Sequence, residues 1–233
     1  MIRNILFSII FFAGIIFISI IFLPSFFLPR KIVLFGGKLM GYWTGICLKF
    51  ILSVKILIKG KENITERDKF FIAASHQSMF ETFYLQTVFN SPVFILKREL
   101  LQIPIFGWYL KKIGSISINR NKTTKDNLSF FNDISKTISQ SNRPLIIFPQ
   151  GTRVLPDDRT PFKKGASRIY EELKINCLPV AINSGYVWPK KGYKKSNKKI
   201  TISILPQIDN NLDKSQFLEN LQESIYSELD KIN

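Results

Sequence analysis

The rhythm of apolar positions changes twice along the chain. Residues 5–23 run without a charge. Residues 32–57 are apolar but broken by Lys38, Lys49 and Lys55 and by Gly36, Gly37, Gly41 and Gly45. From about Val54 onward, short apolar runs alternate with longer amphipathic ones. The short runs predict strands over 54–58, 70–74, 93–96, 115–118, 145–148, 178–182 and 200–205. The longer ones predict helices over 79–89, 106–111, 124–140, 164–173 and 214–231. Strands interleaved with helices imply an α/β fold, with a central mixed, mainly parallel sheet flanked by helices. Pro92, Pro144 and Pro179 read as strand heads, where a missing N–H does least harm. No internal repeat or low-complexity linker interrupts the pattern.

The first apolar segment would be ~28 Å long as a helix, close to the ~30 Å hydrocarbon layer of a bilayer. Arg3 precedes it, and Pro24, Pro29, Arg30 and Lys31 follow. A cleaved signal peptide is the rival reading. The run is long for that role and no small-residue cleavage site follows, so an uncleaved anchor is expected. The second segment carries Tyr42 and Trp43, residues that favour a membrane interface. It reads as an amphipathic helix lying in one leaflet, with a core helix of the soluble part as the alternative. Together they predict an N-terminal membrane-anchoring helical hairpin over 1–53 and an α/β domain over 54–233, the domain staying on the side where the chain began.

Charge narrows the partners. The formal net charge of +16 implies attraction to something anionic, and the 45% hydrophobic fraction is ample for a core. Lys190, Lys191, Lys194, Lys195, Lys198 and Lys199 crowd one stretch, expected as a loop between the last two strands. Near anionic headgroups each such lysine is worth ~1 kcal/mol, so an anionic membrane surface is an expected partner; a merely solvated loop is the alternative. No DNA- or RNA-binding motif accompanies the charge, so no nucleic acid partner is expected. Cys47 and Cys177 match neither a disulfide framework nor zinc-ligand spacing and read as small core residues.

His76 is the only histidine, so any proton transfer by imidazole near neutrality happens there. Glu81 follows five positions later. In one continuous helix the two would point ~140° apart and could not touch. They can meet if His76 lies in the turn after the strand over 70–74 and Glu81 in the first turn of the next helix. Glu81 would then hold the imidazole in one tautomer and stabilise its protonated form. The structural alternative is a capping box, with Ser78 at N-cap and Glu81 at N3.

Four ordered blocks resemble the glycerolipid acyltransferases, most closely the bacterial 1-acylglycerol-3-phosphate acyltransferases. They are His76 with Glu81, then Lys97 to Arg120, then Phe148-Pro149-Gln150-Gly151-Thr152-Arg153, then Leu178-Pro179-Val180-Ala181-Ile182-Asn183-Ser184-Gly185. The resemblance spans roughly half the chain. It implies that His76 is the general base for the acceptor's hydroxyl and that Glu81 orients it and balances its charge. It also implies that the Gly151-Thr152-Arg153 turn grips phosphate, with Gly151 letting backbone amides approach and Arg153 able to bind bidentately. Lys97 and Arg120 are implied as further phosphate contacts. Residues 103–108 are implied to shape the acceptor site, with a tight turn into a packed helix as the alternative.

Three positions depart from the commoner family pattern: Glu81 and Asn119 stand where Asp is usual, and Gln150 where Glu is usual. Glu81 keeps the carboxylate; Gln150 and Asn119 lose charge and cannot serve as acids. The implied reaction transfers an acyl group from acyl-CoA or acyl carrier protein to a membrane lipid acceptor, 1-acylglycerol-3-phosphate, giving phosphatidic acid at the cytoplasmic face of the inner membrane. It implies no metal and no cofactor beyond the donor. Another acceptor (glycerol-3-phosphate or a lyso-aminolipid), a thioester hydrolase and a silent membrane-docking protein remain the alternatives. Either cysteine as a nucleophile is disfavoured, because neither sits in an electropositive turn.

Overall fold

In a computed structural model, residues 2–65, 69–118 and 126–233 are described, the side chains of 126–129 excepted. Two helices open the chain, α1 (Ile2–Ile21) and α2 (Arg30–Leu52). Then follow β1 (Lys55–Lys59), β2 (Phe70–Ala74), α3 (Phe80–Val88), β3 (Val93–Lys97), α4 (Phe106–Lys112), β4 (Ile116–Ile118) and α5 (Asp126–Ser139). The last elements are β5 (Leu145–Ile147), α6 (Gly165–Leu173), β6 (Asn176–Ile182), β7 (Lys199–Ile204) and α7 (Lys214–Ile232). Among the described residues the strands form one sheet in the order β1-β7-β6-β2-β5-β3-β4.

β6, β2, β5, β3 and β4 are mutually parallel; β7 runs antiparallel to β6, and β1 parallel to β7. Central strands covered on both faces need apolar residues throughout, and β2 and β5 meet that with Phe-Phe-Ile-Ala-Ala and Leu-Ile-Ile. Edge strand β1 instead alternates, with Lys55 and Lys59 exposed, which discourages pairing with another chain. The shared direction of five strands brings their carboxyl ends to one edge, the edge where α/β proteins bind ligands.

The expected sheet, strands and helices are all present, with ends shifted by a residue or two. The start of the predicted 124–140 helix lies outside the described residues. Pro179 corrects the strand-head reading: β6 begins three residues before it, at Asn176. The proline is tolerated for a reason of register. β6 pairs with β7 through Val180 and Ile204, while further back Cys177 bridges Ile208, a slip of one residue. Pro179 sits in that bulge, where its carbonyl accepts from Leu205 N–H (2.9 Å) and no donor is needed.

Each face of the sheet is covered. On one side Phe7, Phe11, Leu48, Leu52, Phe80 and Leu85 of α1, α2 and α3 share a core with Ile72, Ile146 and Val180. On the other, Ile134, Ile169, Tyr170, Phe217 and Leu221 of α5, α6 and α7 pack on Phe71, Ala73 and Leu145. α2 therefore serves as a core helix along one face, the alternative raised for it, while Phe35, Tyr42, Ile46 and Phe50 stay exposed on the other. Cys47 and Cys177 are both buried. The Arg143 guanidinium clamps the carbonyls of Ser91, Pro92 (3.0 Å) and Ile113 (2.7 Å), tying the head of β3 to the end of α4. Burial, with Arg30 nearby, pushes it down to about 10.

α1 does not leave the globular part at either end. Near its start, Asn4 exchanges two hydrogen bonds with the Lys194 backbone (2.6 and 2.7 Å), and the Lys194 ammonium reaches Ser8 Oγ (3.2 Å). Near its finish, Tyr109 Oη donates to the Ser19 carbonyl (2.6 Å). Between these points Phe7 and Phe11 each meet the Trp188 ring edge-on at 5.1 Å.

Candidate active site

The site is built on the loop leaving β2. Ser75 N–H donates to the Val180 carbonyl (2.9 Å), and Ser75 Oγ accepts from Ile182 N–H (2.8 Å), so the loop is fastened to β6 before it turns. His76 is then gripped by its own backbone. Its N–H donates to Gln150 Oε1 (3.0 Å), and its carbonyl accepts from Val154 N–H (2.9 Å). Those two bonds bracket Gly151-Thr152-Arg153, so the glycine-bearing turn is fixed to the histidine rather than merely near it. The imidazole stacks on the Phe148 ring at 4.0 Å and 16°.

His76 Nδ1 lies 3.1 Å from Glu81 Oε2. The contact forms by the expected route: His76 precedes the helix, and α3 begins only at Phe80. Half of the capping box forms as well: Glu81 Oε2 accepts from Ser78 N–H (2.9 Å), while Ser78 Oγ takes the Phe80 amide (2.9 Å) rather than that of Glu81, and Met79 stands at the N-cap. One carboxylate performs both tasks that the sequence offered as alternatives. Glu81 is fully buried, whereas the His76 side chain keeps 16% of its surface exposed. Oε2 already accepts from Ser78 N–H, so it meets the ring as an acceptor, which fixes the proton on Nδ1 and leaves the Nε2 lone pair unused by Glu81.

The remaining described candidates share this edge. Gly151 takes φ +72°, a left-handed conformation suited to glycine, and its N–H closes the turn on Phe148 O (2.9 Å). Thr152 is exposed and Arg153 half-buried. Lys190 Nζ reaches the Arg153 carbonyl at 3.4 Å, which brings the lysine-rich loop to the same turn. Lys97 ends β3, exposed and two strand positions from β2, hence ~10 Å across the sheet from it. Arg120 and Asn119 lie outside the described residues.

Residues 103–108 form a tight turn into α4. Gly107 N–H donates to Ile103 O (2.7 Å), and a Cβ on Gly107 would come within 2.2 Å of Leu101 O, so the turn requires glycine. Ile105 sits at φ +63°, a strained value for a β-branched residue. Ile103, Ile105, Phe106 and Trp108 are exposed rather than packed inside.

Several residues here had no structural role in the sequence reading. Ser184 Oγ donates to Glu81 Oε1. Gln77 Oε1 accepts from Gly185 N–H (3.0 Å), and a Cβ on Gly185 would lie 2.9 Å from both Gln77 Cβ and Pro156 Cγ. Phe148 and Gln150 support the imidazole from its face and its backbone. The only signal for these was position: each ends or follows a predicted parallel strand and so falls on the carboxyl edge.

Fold and site together define an α/β protein with a base–acid pair at the carboxyl edge of a mainly parallel sheet. The chain belongs to the acyltransferase family, whose model matches residues 55–183. A 1-acyl-sn-glycerol-3-phosphate acyltransferase of Pseudomonas aeruginosa is 32% identical over 158 residues, 68% of this chain and 61% of that protein. The chain thus matches about three fifths of that relative's length. One from Saccharomyces cerevisiae is 27% identical over 212 residues, 85% of this chain and 69% of that protein. The crystal structure of the 1-acyl-sn-glycerophosphate acyltransferase of Thermotoga maritima superposes with a TM-score of 0.78, at 23% identity, covering 99% of this chain and 96% of that one. At that identity the likeness speaks for the fold.

Proposed function

We propose that this protein transfers an acyl group from a thioester, acyl-CoA or acyl carrier protein, to the free hydroxyl of 1-acylglycerol-3-phosphate, giving phosphatidic acid. The observation that carries this reading is the His76–Glu81 contact, fastened through Gln150 and Val154 to the Gly151-Thr152-Arg153 turn. The printed names of the relatives supply the acceptor. His76 Nε2 takes the proton of the acceptor hydroxyl as its oxygen attacks the thioester carbonyl. The C–S bond then breaks, and the leaving thiolate takes the proton back from the imidazolium. The nucleophile belongs to the substrate, so no acyl-enzyme forms. Arg153, Thr152, Lys97 and Arg120 hold the phosphate, and Gly151 lets the backbone of the turn approach it.

The same reading puts the molecule on a membrane. α1 is long and apolar enough to cross one by length and composition, but both its ends are tied to the globular part. It therefore lies along the bilayer surface, its outer face in one leaflet, with the exposed side chains of α2 and of 103–108 beside it. Arg3 and the lysine-rich loop mark one end of this face, and Arg30, Lys31, Lys111 and Lys112 the other. Cations at both ends of an apolar band suit an anionic lipid surface. We place the catalytic part on the cytoplasmic side, where the acyl donors are made.

The test is His76→Ala in purified, vesicle-bound enzyme. Transfer falls by at least the ~10²–10⁴-fold share of a general base while the fold persists by circular dichroism. Near-normal transfer would reject the mechanism. Arg153→Ala raises the KM for 1-acylglycerol-3-phosphate more than it lowers kcat; an unchanged KM removes phosphate binding from that turn. Fatty acid release without acceptor would instead mark a hydrolase.

A further inference from the structure

We infer that Ser184 is a positioning residue of the base, a third member of a His76–Glu81–Ser184 chain. The inference rests on the reading of His76 as base. Glu81 is fully buried and has two oxygens to satisfy. Oε2 accepts from the His76 ring and from Ser78 N–H. Oε1 is held by Ser184 Oγ, which arrives from just beyond the end of β6, the strand beside β2. With Oε1 fixed, the carboxylate plane cannot turn about its terminal torsion, a broad and soft one, and Oε2 stays aimed at Nδ1.

The backbone around Ser184 is itself held for this purpose. Val187 N–H and Trp188 N–H both donate to the Ser184 carbonyl (3.0 and 2.8 Å), and Gly185 N–H is taken by Gln77 Oε1. Ser184 has none of its surface exposed, so its hydroxyl has no solvent to compete with Glu81. The longer Glu at position 81 makes the arrangement coherent. Its extra methylene lets one carboxylate reach Nδ1, the Ser78 amide and a hydroxyl on another strand together. A shorter Asp at 81 would forfeit at least one of the three.

The lone histidine makes this directly observable. In untagged protein labelled with ¹⁵N-histidine, a single imidazole reports its own tautomer. The unmodified protein should show the Nδ1–H form in the neutral state. Ser184→Ala should shift the ring toward a tautomer mixture and lower kcat roughly tenfold, the scale of one hydrogen bond to a charged group, with little change in KM for acceptor or donor. Ser184→Thr should restore both readouts. Glu81→Asp should lower kcat as well, and combining it with Ser184→Ala should add little further. If the alanine protein fails to fold, Ser184→Cys gives the same reading, since a thiol is a poor donor of similar size. An unchanged tautomer with unchanged kcat, or equal losses in the alanine and threonine proteins, would reduce Ser184 to packing. Loss of the acyltransferase reading itself would appear elsewhere, as a His76→Ala protein that still turns over.

Discussion

The two sides of the sheet bury the same kind of surface inward and present opposite surfaces outward. Every exposed residue of α7 is polar or charged: Lys214, Ser215, Gln216, Glu219, Asn220, Glu223, Ser227, Asp230 and Lys231. Every exposed residue of α1 except Arg3 is apolar, among them Ile5, Ile9, Phe12, Ile16, Phe17 and Ile20. Inward, α7 offers Phe217 and Leu221 and α1 offers Phe7 and Phe11, all fully buried. The inner faces answer to one requirement, close packing on the sheet. The outer faces answer to two solvents, and an apolar patch this extensive on a soluble protein marks a contact with something apolar. The His76–Glu81 pair lies where the sides meet: His76 follows central strand β2, Glu81 comes from α3 on the apolar side, and Ser184 reaches it from the end of β6.

The largest effect that would break this contrast is on membrane partition. Burying one phenylalanine is worth ~1.5–3 kcal/mol, so Phe12→Asp with Phe17→Asp should weaken vesicle binding by roughly 10²–10⁴-fold. The fold should survive, because both side chains are exposed. Two matched changes on α7, Glu219→Lys and Glu223→Lys, should leave vesicle binding the same or slightly improved. Co-sedimentation with vesicles of phosphatidylglycerol measures both. If the α1 pair binds as well as the parent, the apolar face is not the membrane contact.

Next come the inner faces, where the sides should behave alike. Phe11→Ala and Phe217→Ala each leave a cavity under a helix and should each cost about 3–5 kcal/mol in urea unfolding. A cost several-fold smaller for Phe11→Ala would mean that α1 is held by lipid rather than by the core. A smaller effect is expected between α2 and α3. A Cβ on Gly41 would stand 2.7 Å from the Phe83 carbonyl and 2.6 Å from Thr87 Cγ2. Gly41→Val should therefore cost about 1–3 kcal/mol by forcing the helices apart. It should also lower kcat, since α3 carries Glu81.

What the sequence disclosed follows from how local each feature is. β2 was legible because a buried apolar run precedes a turn, and the His76–Glu81 meeting because both residues lie within a single strand–turn–helix. Pro179 was misplaced because its exemption depends on a register slip against a strand that begins twenty residues later. Ser184 was silent because its partner stands 103 positions away. The lie of α1 was beyond composition altogether. An apolar helix that leaves the domain and one packed along it read alike in composition, and the contacts that tie α1 to the domain join Asn4 to Lys194 across 190 positions. Lys194 adds a second hidden feature: its ammonium sits over the Phe7 and Trp188 rings at 5.2 and 5.5 Å, and burial lowers its pKa.

The smallest expected effect concerns how the helices begin. α7 starts with a side-chain cap: Asp213 Oδ1 accepts from Ser215 N–H (2.8 Å), Ser215 Oγ (2.7 Å) and Gln216 N–H (3.0 Å). α2 has no such cap, opening after Pro29 without a side-chain bond. The Ser215 hydroxyl first, and then the Gln216 amide, hold the Asp213 carboxyl below its usual value. A carboxyl whose pKa is lower folded than unfolded stabilises the protein above the unfolded value, ~3.9, and loses that contribution as pH falls through the folded one. Asp213→Asn keeps a capping oxygen but does not titrate, so its Tm should fall less steeply than the parent's between about pH 5 and pH 2. Asp213→Ala should lower Tm slightly at neutral pH, with the same shallow acid slope. Vesicle binding at neutral pH should not change in either protein, because the cap belongs to the side that faces water. A parent and an asparagine protein with parallel Tm–pH curves would mean that the Asp213 bonds do not persist in solution.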